Sequence, residues 1–490
     1  MSDTAITNQA LARPTRDINH IIAYGQSLAM GYEGWPALSL RQPYDSLMLG
    51  DGVRPAAEVA TEWRAIGQAV FRPLVATVQP VGGAELLRPD QVAALPAGDS
   101  ACGETVLEGA VNLFRGRLLA GGGALGRRRL LASTAAVGGR PIEALSRGAV
   151  PNLFDRLRTC IALARETAGA SNLTYGVTAL LFLQGEHNSF GSDGGTSDRE
   201  TYRDLLAALH REMLATVATA SGQSEMPGFF SYQTGGAYAN PTNSIAQAQL
   251  EFCLATPGCF MVGPSYPVTE KFGHLDANGY RWLGAQFGKA MDRVLRLGQN
   301  FLPLHPLRAT LDGRRLQVAF HVPVPPLAWG KPFVGQSRAE PKEGGFAVWD
   351  SQGEVPLADW TLAGPDSVDL TLTRDTAGPV TLRYADQTRS GRGALHDSDA
   401  DVAPDPYVYD PATGHAEGAN QPDLNGKPYP LQNWCVAFAI PVTVASDPQA
   451  GPASRSGAAW AYLDAARTEV TGERLPRPSW WARLFGRRPR

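Results

Sequence analysis

The sequence predicts an α/β layer domain with a mostly parallel sheet, followed by an antiparallel β sandwich. Up to about residue 295, short apolar runs alternate singly with longer amphipathic ones, the pattern of strands joined by crossover helices. After FLPLHPLRATLDG, at 301–313, the period of the apolar positions changes to two and no long helical pattern follows. At 490 residues the chain can bury two cores.

HIIAYG at 20–25 reads as the first strand. Residues 33–100, rich in Pro, Gly and Ala, interrupt the rhythm and read as long loops beside it. Further strands are RLLASTAAV at 129–137, YGVTALLFLQ at 175–184, GFFSYQ at 228–233 and CFMVGP at 259–264. The helical stretches between them are ETVLEGAVNLFRGRL, NLFDRLRTCIALARETA, SDRETYRDLLAALHREMLATVA and NSIAQAQLEFCLA. The last, DANGYRWLGAQFGKAMDRVL, sets Leu283, Phe287 and Met291 four apart on one face. In the second half, Val318, Phe320 and Val322 alternate, as do Val368, Leu370 and Leu372, and Trp434, Val436, Phe438 and Ile440. Pro- and Gly-rich turns between these runs give the sandwich pattern. The predicted organisation is an N-terminal extension (1–17), the α/β domain (18–300), the sandwich (301–470) and a basic, flexible tail (471–490). The tail carries six Arg from Arg474 onward beside Trp480, Trp481, Leu484 and Phe485.

A formal net charge of -3 offers no global basic field for nucleic acid. The five Cys are scattered, with no CxxC, and indicate neither a zinc knuckle nor a disulfide scaffold. The histidines show no ligand spacing for zinc, so no metal is expected, and the absence of GxGxxG and GxxxxGK[ST] leaves no nucleotide cofactor reading. The N-terminus lacks the basic start and apolar core of a signal peptide, and no apolar run suits a transmembrane segment. The expectation is a soluble protein, cytoplasmic by default or exported by a non-classical route.

In NHIIAYGQSLAMGY, at 19–32, Ser27 falls where the first strand gives way to a helix. That is the C-terminal edge of a parallel sheet, where open α/β folds place their sites, and helix N–H groups there can face an anion. A turn or capping serine is the plain alternative. In AAVGGRPIEAL, Gly138-Gly139 makes a tight turn whose N–H can approach a substrate oxygen; an ordinary β-to-α turn is the alternative. LFLQGEHNSF ends the next strand with Gln184, an amide donor, followed by the titratable Glu186 and His187. His274 precedes the last helix in GPSYPVTEKFGHLDANGY. A serine, oxyanion donors and a histidine on one sheet edge are what acyl transfer requires.

These blocks resemble the SGNH/GDSL-type hydrolase superfamily, and in particular its sialate O-acetylesterase-like carbohydrate esterases, over about residues 18–295. GQSLAMG is similar to the opening GQSN block, with Leu28 in place of Asn. AVGGRPIEAL is similar to AxGGTxI, with Arg140 replacing Thr. FLQGEHN is similar to WxQGExD, with Phe182 and Asn188 as departures, and GHLDANGYRWLG is similar to the terminal histidine block. The resemblance implies a three-layer, flavodoxin-like α/β domain and a serine esterase that removes O-acetyl groups from sialic acid or another acetylated glycan through an acetyl-enzyme, without a metal. It implies Ser27 as nucleophile and His274 as base, with an oxyanion hole from the Ser27 amide, the Gly139 amide (or Gly138, one residue earlier) and the Gln184 side chain. Gln26, Gly138, Arg140, Glu186 and His187 are the accompanying substrate-binding candidates.

The family commonly carries Asp three positions before its histidine, where this chain has Lys271. Glu270 is the first candidate for the third catalytic group; Asp276, Glu186 and a backbone carbonyl stay open. Two other readings also stay open: a non-catalytic glycan-binding or structural surface protein with a degenerate esterase domain, and a lipase or thioesterase of the same superfamily. The sandwich could bind polysaccharide, shape the cleft or build an oligomer interface.

Overall fold

The structure, a computed structural model, describes residues 10–445 apart from 58–59, 124–125, 127, 272, 333–339 and 410–421. The tail and the end of the expected sandwich, 446–490, lie outside the described residues, as do residues 1–9.

The α/β part comprises β1 (Ile18–Gly25), α1 (Ser27–Met30), β2 (Leu47–Leu49), β3 (Phe71–Pro73), α2 (Pro89–Ala93), α3 (Val106–Ala120), β4 (Arg129–Thr134), α4 (Ile142–Leu145) and α5 (Asp155–Ala170). It continues through β5 (Tyr175–Leu183), α6 (Glu186–Ser189), α7 (Arg199–Ser221), β6 (Gly228–Gln233), α8 (Ser244–Ala255), β7 (Cys259–Pro264), the short pair β8 (Glu270–Lys271) and β9 (His274–Leu275), and α9 (Ala277–Met291). The strands form one sheet in the order β3-β2-β4-β1-β5-β6-β7, parallel throughout except for β3 on β2. The expectation of loops across 33–100 is corrected here. β2 and β3 extend the sheet, but three residues apiece are too short to display a period.

Alternation along β1 divides the core. Ile21 and Ala23 point into a cluster with α3 and α9, while Ile18, Ile22 and Tyr24 point into one with α5, α7 and α8. α3 and α9 approach closely, since a Cβ at Gly109 would lie 2.2 Å from the Arg281 carbonyl oxygen, and one at Gly284 2.3 Å from that of Val106. No helix among the described residues is long and apolar enough to cross a membrane.

The second half is rich in strands. β10 (His305–Asp312) and β11 (Arg315–His321) lie in a sheet ordered 357–364, 367–372, β11, β10, 443–444. A second sheet is ordered 353–355, 346–350, 381–384, 438–441. Val318, Leu370, Val348, Leu382 and Ile440 from the two sheets share one cluster. The expectation of purely antiparallel pairing is corrected at one edge, where 443–444 runs parallel to β10. Of the alternating run 434–440 only Phe438 onward is strand, although Trp434 packs in the core as expected.

The two halves share buried hydrogen bonds. Gln233 Nε2 donates to the Ala437 oxygen at 2.8 Å, and its Oε1 accepts from the Ala437 N–H at 2.7 Å. Asn243 Nδ2 donates to the oxygens of Tyr384 (2.8 Å) and Phe438 (3.2 Å), and Tyr266 Oη to that of Cys435 (2.7 Å). Ala403, Tyr407, Tyr429 and Leu431 belong to the first-half cluster, with Tyr429 stacked on Trp282 of α9 at 5.4 Å between centroids. Gln233→Ala would strand two buried backbone groups, so it is expected to lower unfolding stability by about 3 kcal/mol. Calorimetry should show one cooperative transition moving as a whole; two transitions, with one unmoved, would contradict this coupling.

Candidate active site

The chain leaves β1 at Gly25 with φ +142°, and a Cβ there would sit 1.9 Å from the Leu183 carbonyl oxygen at the end of β5. Gln26 N–H donates to that same oxygen at 2.8 Å. Ser27 therefore opens α1 at the C-terminal edge of the sheet, between β1 and β5, where the order of connections reverses direction.

Ser27 is buried, and its Oγ lies 2.8 Å from His274 Nε2. His274 Nδ1 lies 2.9 Å from Glu33 Oε1. An Nδ1–H donating to Glu33 leaves Nε2 free to accept the Ser27 hydroxyl proton, the arrangement of a nucleophile, base and orienting acid. The Tyr32 ring lies against the imidazole, 5.6 Å between centroids.

Glu33, and not the expected Glu270, is the carboxylate in contact with His274, and the difference has a physical reason. Glu270 is drawn into an ion pair with Arg392 from the second half of the chain. Glu33 is held by a short ladder in which Gly103 N–H donates to the Gly31 oxygen (2.8 Å), Glu104 N–H to that of Gly34 (2.7 Å) and Glu33 N–H to that of Ala101 (3.0 Å). Its own φ is +62°, a costly conformation for a residue with a side chain. The buried Glu104 steadies the same loop by accepting from the N–H groups of Leu38 and Ser39 at 2.8 and 2.9 Å.

Gln184 sits in a side-chain network at the end of β5. Its Oε1 accepts from Tyr202 Oη at 2.6 Å, which turns the NH2 group onto Asn188 Oδ1 at 2.6 Å, with longer approaches of 3.4 Å to Gln26 Oε1 and the Arg140 oxygen. Asn188 in turn accepts from the Ile142 N–H at 2.9 Å. The Gln184 amide thus ties neighbouring loops together through Tyr202 and Asn188. Gln26 has the free donor: its Oε1 accepts from the Gly185 and His187 N–H groups at 3.4 and 3.3 Å, and its Nε2 has no protein acceptor among the described residues.

Gly139 turns with φ +59°, and a Cβ there would lie 3.9 Å from His187 Cε1. Gly138 precedes it, and Arg140 is half-buried, with Nη1 3.2 Å from the Gly139 oxygen. His187 is half-buried, its Nε2 2.6 Å from Asp193 Oδ2. Glu186 is buried, and its Oε1 accepts from Tyr232 Oη and from Thr234 Oγ1. Burial raises the Glu186 pKa, and His274 opposes this in part. Glu33, Asn188 and the aromatic pair Phe190 and Tyr238 are what the sequence reading passed over. The signal for Glu33 was its place between Gly31 and Gly34, six residues past Ser27, in a turn that favours left-handed backbone.

No family model matches the chain, and no curated protein does. Among solved structures, it is similar to a carbohydrate acetylesterase from Xanthomonas citri at 16% identity, covering 86% of this chain and 80% of that one, with a TM-score of 0.49. A protein from Arabidopsis thaliana aligns at 14% identity over 57% of this chain and 99% of its own, with a TM-score of 0.36. An aryl esterase from M. smegmatis aligns at 11% over 57% and 99%, with a TM-score of 0.26. At these values the likenesses fix neither reaction nor substrate.

Asp276, beside the site, caps α9 by accepting from the Gly279 N–H at 2.6 Å and also accepts from Thr269 Oγ1. Burial nevertheless pushes its pKa up to about 6. A carboxyl whose folded pKa exceeds its unfolded one binds more protons when folded, so its contribution to stability falls as pH rises between the two values. Asp276→Asn keeps a capping oxygen but does not titrate. Urea unfolding should show wild type losing roughly 2 kcal/mol relative to this variant between about pH 4 and pH 6; a pH-independent difference would contradict the assignment.

Proposed function

We propose that the protein is a serine carboxylic-ester hydrolase that removes O-acetyl groups from a carbohydrate through an acetyl-enzyme intermediate. The observation that carries this is the continuous contact from Ser27 Oγ to His274 Nε2 and from His274 Nδ1 to Glu33, at 2.8 and 2.9 Å. Under this reading the fold is an SGNH-hydrolase-like domain followed by a β sandwich.

Ser27 Oγ attacks the acetyl carbonyl while His274 Nε2 takes its proton, and Glu33 stabilises the imidazolium that forms. The tetrahedral oxyanion is met by the Ser27 N–H at the start of α1, the Gly139 N–H and Gln26 Nε2. The imidazolium then returns its proton to the departing sugar oxygen. Water, deprotonated by His274, attacks the acetyl-serine, and acetate leaves.

A rim feature supports a sugar over a flexible acyl chain. Phe190 is 52% exposed and lies 5.9 Å from the Tyr238 ring. Tyr238 Oη is 3.2 Å from the Cβ position of Gly273, next to His274. A rigid aromatic face at the mouth suits a pyranose ring.

With 4-nitrophenyl acetate, Ser27→Ala should abolish turnover above background, and Glu33→Gln should lower kcat by about 10²- to 10⁴-fold. Glu270→Gln should stay within about threefold of wild type. Equal rates for wild type and Ser27→Ala would sink the proposal, and a larger loss in Glu270→Gln than in Glu33→Gln would reassign the acid. On acetylated oligosaccharides, Phe190→Ala should raise KM several-fold while leaving aryl acetate kinetics unchanged; an equal effect on both would remove the stacking role.

A further inference from the structure

Three positions before His274, where the resemblance expects an acid, the chain carries a cation. Position 271 carries a lysine whose residue is 1% exposed. Its Nζ donates to the Trp35 carbonyl oxygen at 3.2 Å and sits 3.6 Å from the centroid of the Trp35 ring. Trp35 is two residues beyond Glu33 on the same loop. Glu33 Oε1 meets His274, while its Oε2 is buried without a hydrogen-bond partner among the described residues. A buried ammonium and a half-satisfied buried carboxylate are each costly alone, and each offsets the other through a low-dielectric interior.

We propose that Lys271 is a positioning residue acting through Glu33: its ammonium acts as a buried positive charge on the Glu33–His274 pair, and its hold on Trp35 keeps the 31–35 loop in place. The inference rests on the triad reading above. The acids facing Lys271 are Glu33 from that loop, Asp276 from the start of α9 and Asp99 from the segment before α3. His274 is faced by Glu33 and by Glu186 from beyond β5. The phenols of Tyr238 and Tyr280 also face Glu33. Glu270, the neighbour of Lys271, has its charge met by Arg392. Burial brings the Lys271 pKa down to about 8 against the pull of its acidic neighbours, so the ammonium is present at neutral pH and below.

Removing a positive charge raises the pH at which the Glu33–His274 pair takes up protons, whichever member the proton lands on. The test compares wild type with Lys271→Met, Lys271→Gln and Lys271→Arg. Gln is neutral but keeps a donor for the Trp35 oxygen, and it decides the question if Met fails to fold. The readouts are the pH profile of kcat/KM for 4-nitrophenyl acetate and the NMR titration of the His274 imidazole. The acid limb and the His274 midpoint should both move up by about one pH unit in the neutral variants and return to near wild type in Lys271→Arg. A uniform fall in rate with both midpoints unmoved would overturn the proposal and leave Lys271 a packing residue. Wild type without esterase activity would refute the triad reading alone, because the His274 titration still reports whether Lys271 acts on the pair.

Discussion

The geometry above the sheet depends on how the chain leaves β1. Gly25 passes so close to the Leu183 carbonyl that no side chain fits, and Gln26 N–H seals the contact by donating to the same oxygen. This clasp between β1 and β5 puts Ser27 at the sheet edge and brings Gln26 beside Gly185 and His187. A parallel sheet offers its strand ends to ligands on that edge only, so the remaining groups must reach it by loops. His274 arrives on the short β8–β9 pair just ahead of α9, and Glu33 by a left-handed turn anchored to residues 101–104.

The second half of the chain supports this arrangement from behind. Gly236 N–H donates to the Gly391 oxygen at 3.0 Å, and Arg392 pairs with Glu270 on β8. The β8–β9 pair that carries His274 is therefore gripped on two sides, by Arg392 from the strand-rich region and by Trp35 through Lys271. Buried exchanges at Gln233, Asn243 and Tyr266 extend the grip across the junction. Rigidity of this kind suits a site whose donors must be aligned before an oxyanion forms.

What was legible in the sequence was what local chemistry dictates. Strand and helix periods located the long elements, and turn residues after strands picked out Ser27 and Gly139, with His274 marked by the helix that follows it. β2 and β3 were not legible, because an edge strand of three residues carries no period. Glu33 was not legible because its partner lies 241 residues away and its role depends on a backbone turn that composition only hints at. The direction of the Gln184 amide was not legible because a third residue sets it: Tyr202, on α7, holds the amide oxygen and so aims the nitrogen at Asn188. Lys271 stands where the resemblance expects an acid; the structure places Glu33 Oε1 2.9 Å from His274 Nδ1 and sets Lys271 Nζ against the Trp35 carbonyl oxygen.

The central claim is that Ser27 is acylated. Rapid acid quench of the protein with 4-nitrophenyl acetate, followed by proteolysis and mass spectrometry, reads this directly. The account predicts one acetyl group on the peptide containing Ser27, appearing with the first turnover and disappearing as substrate is exhausted. Steady hydrolysis with no acetyl on that peptide, or with acetyl accumulating only on surface lysines, would contradict it.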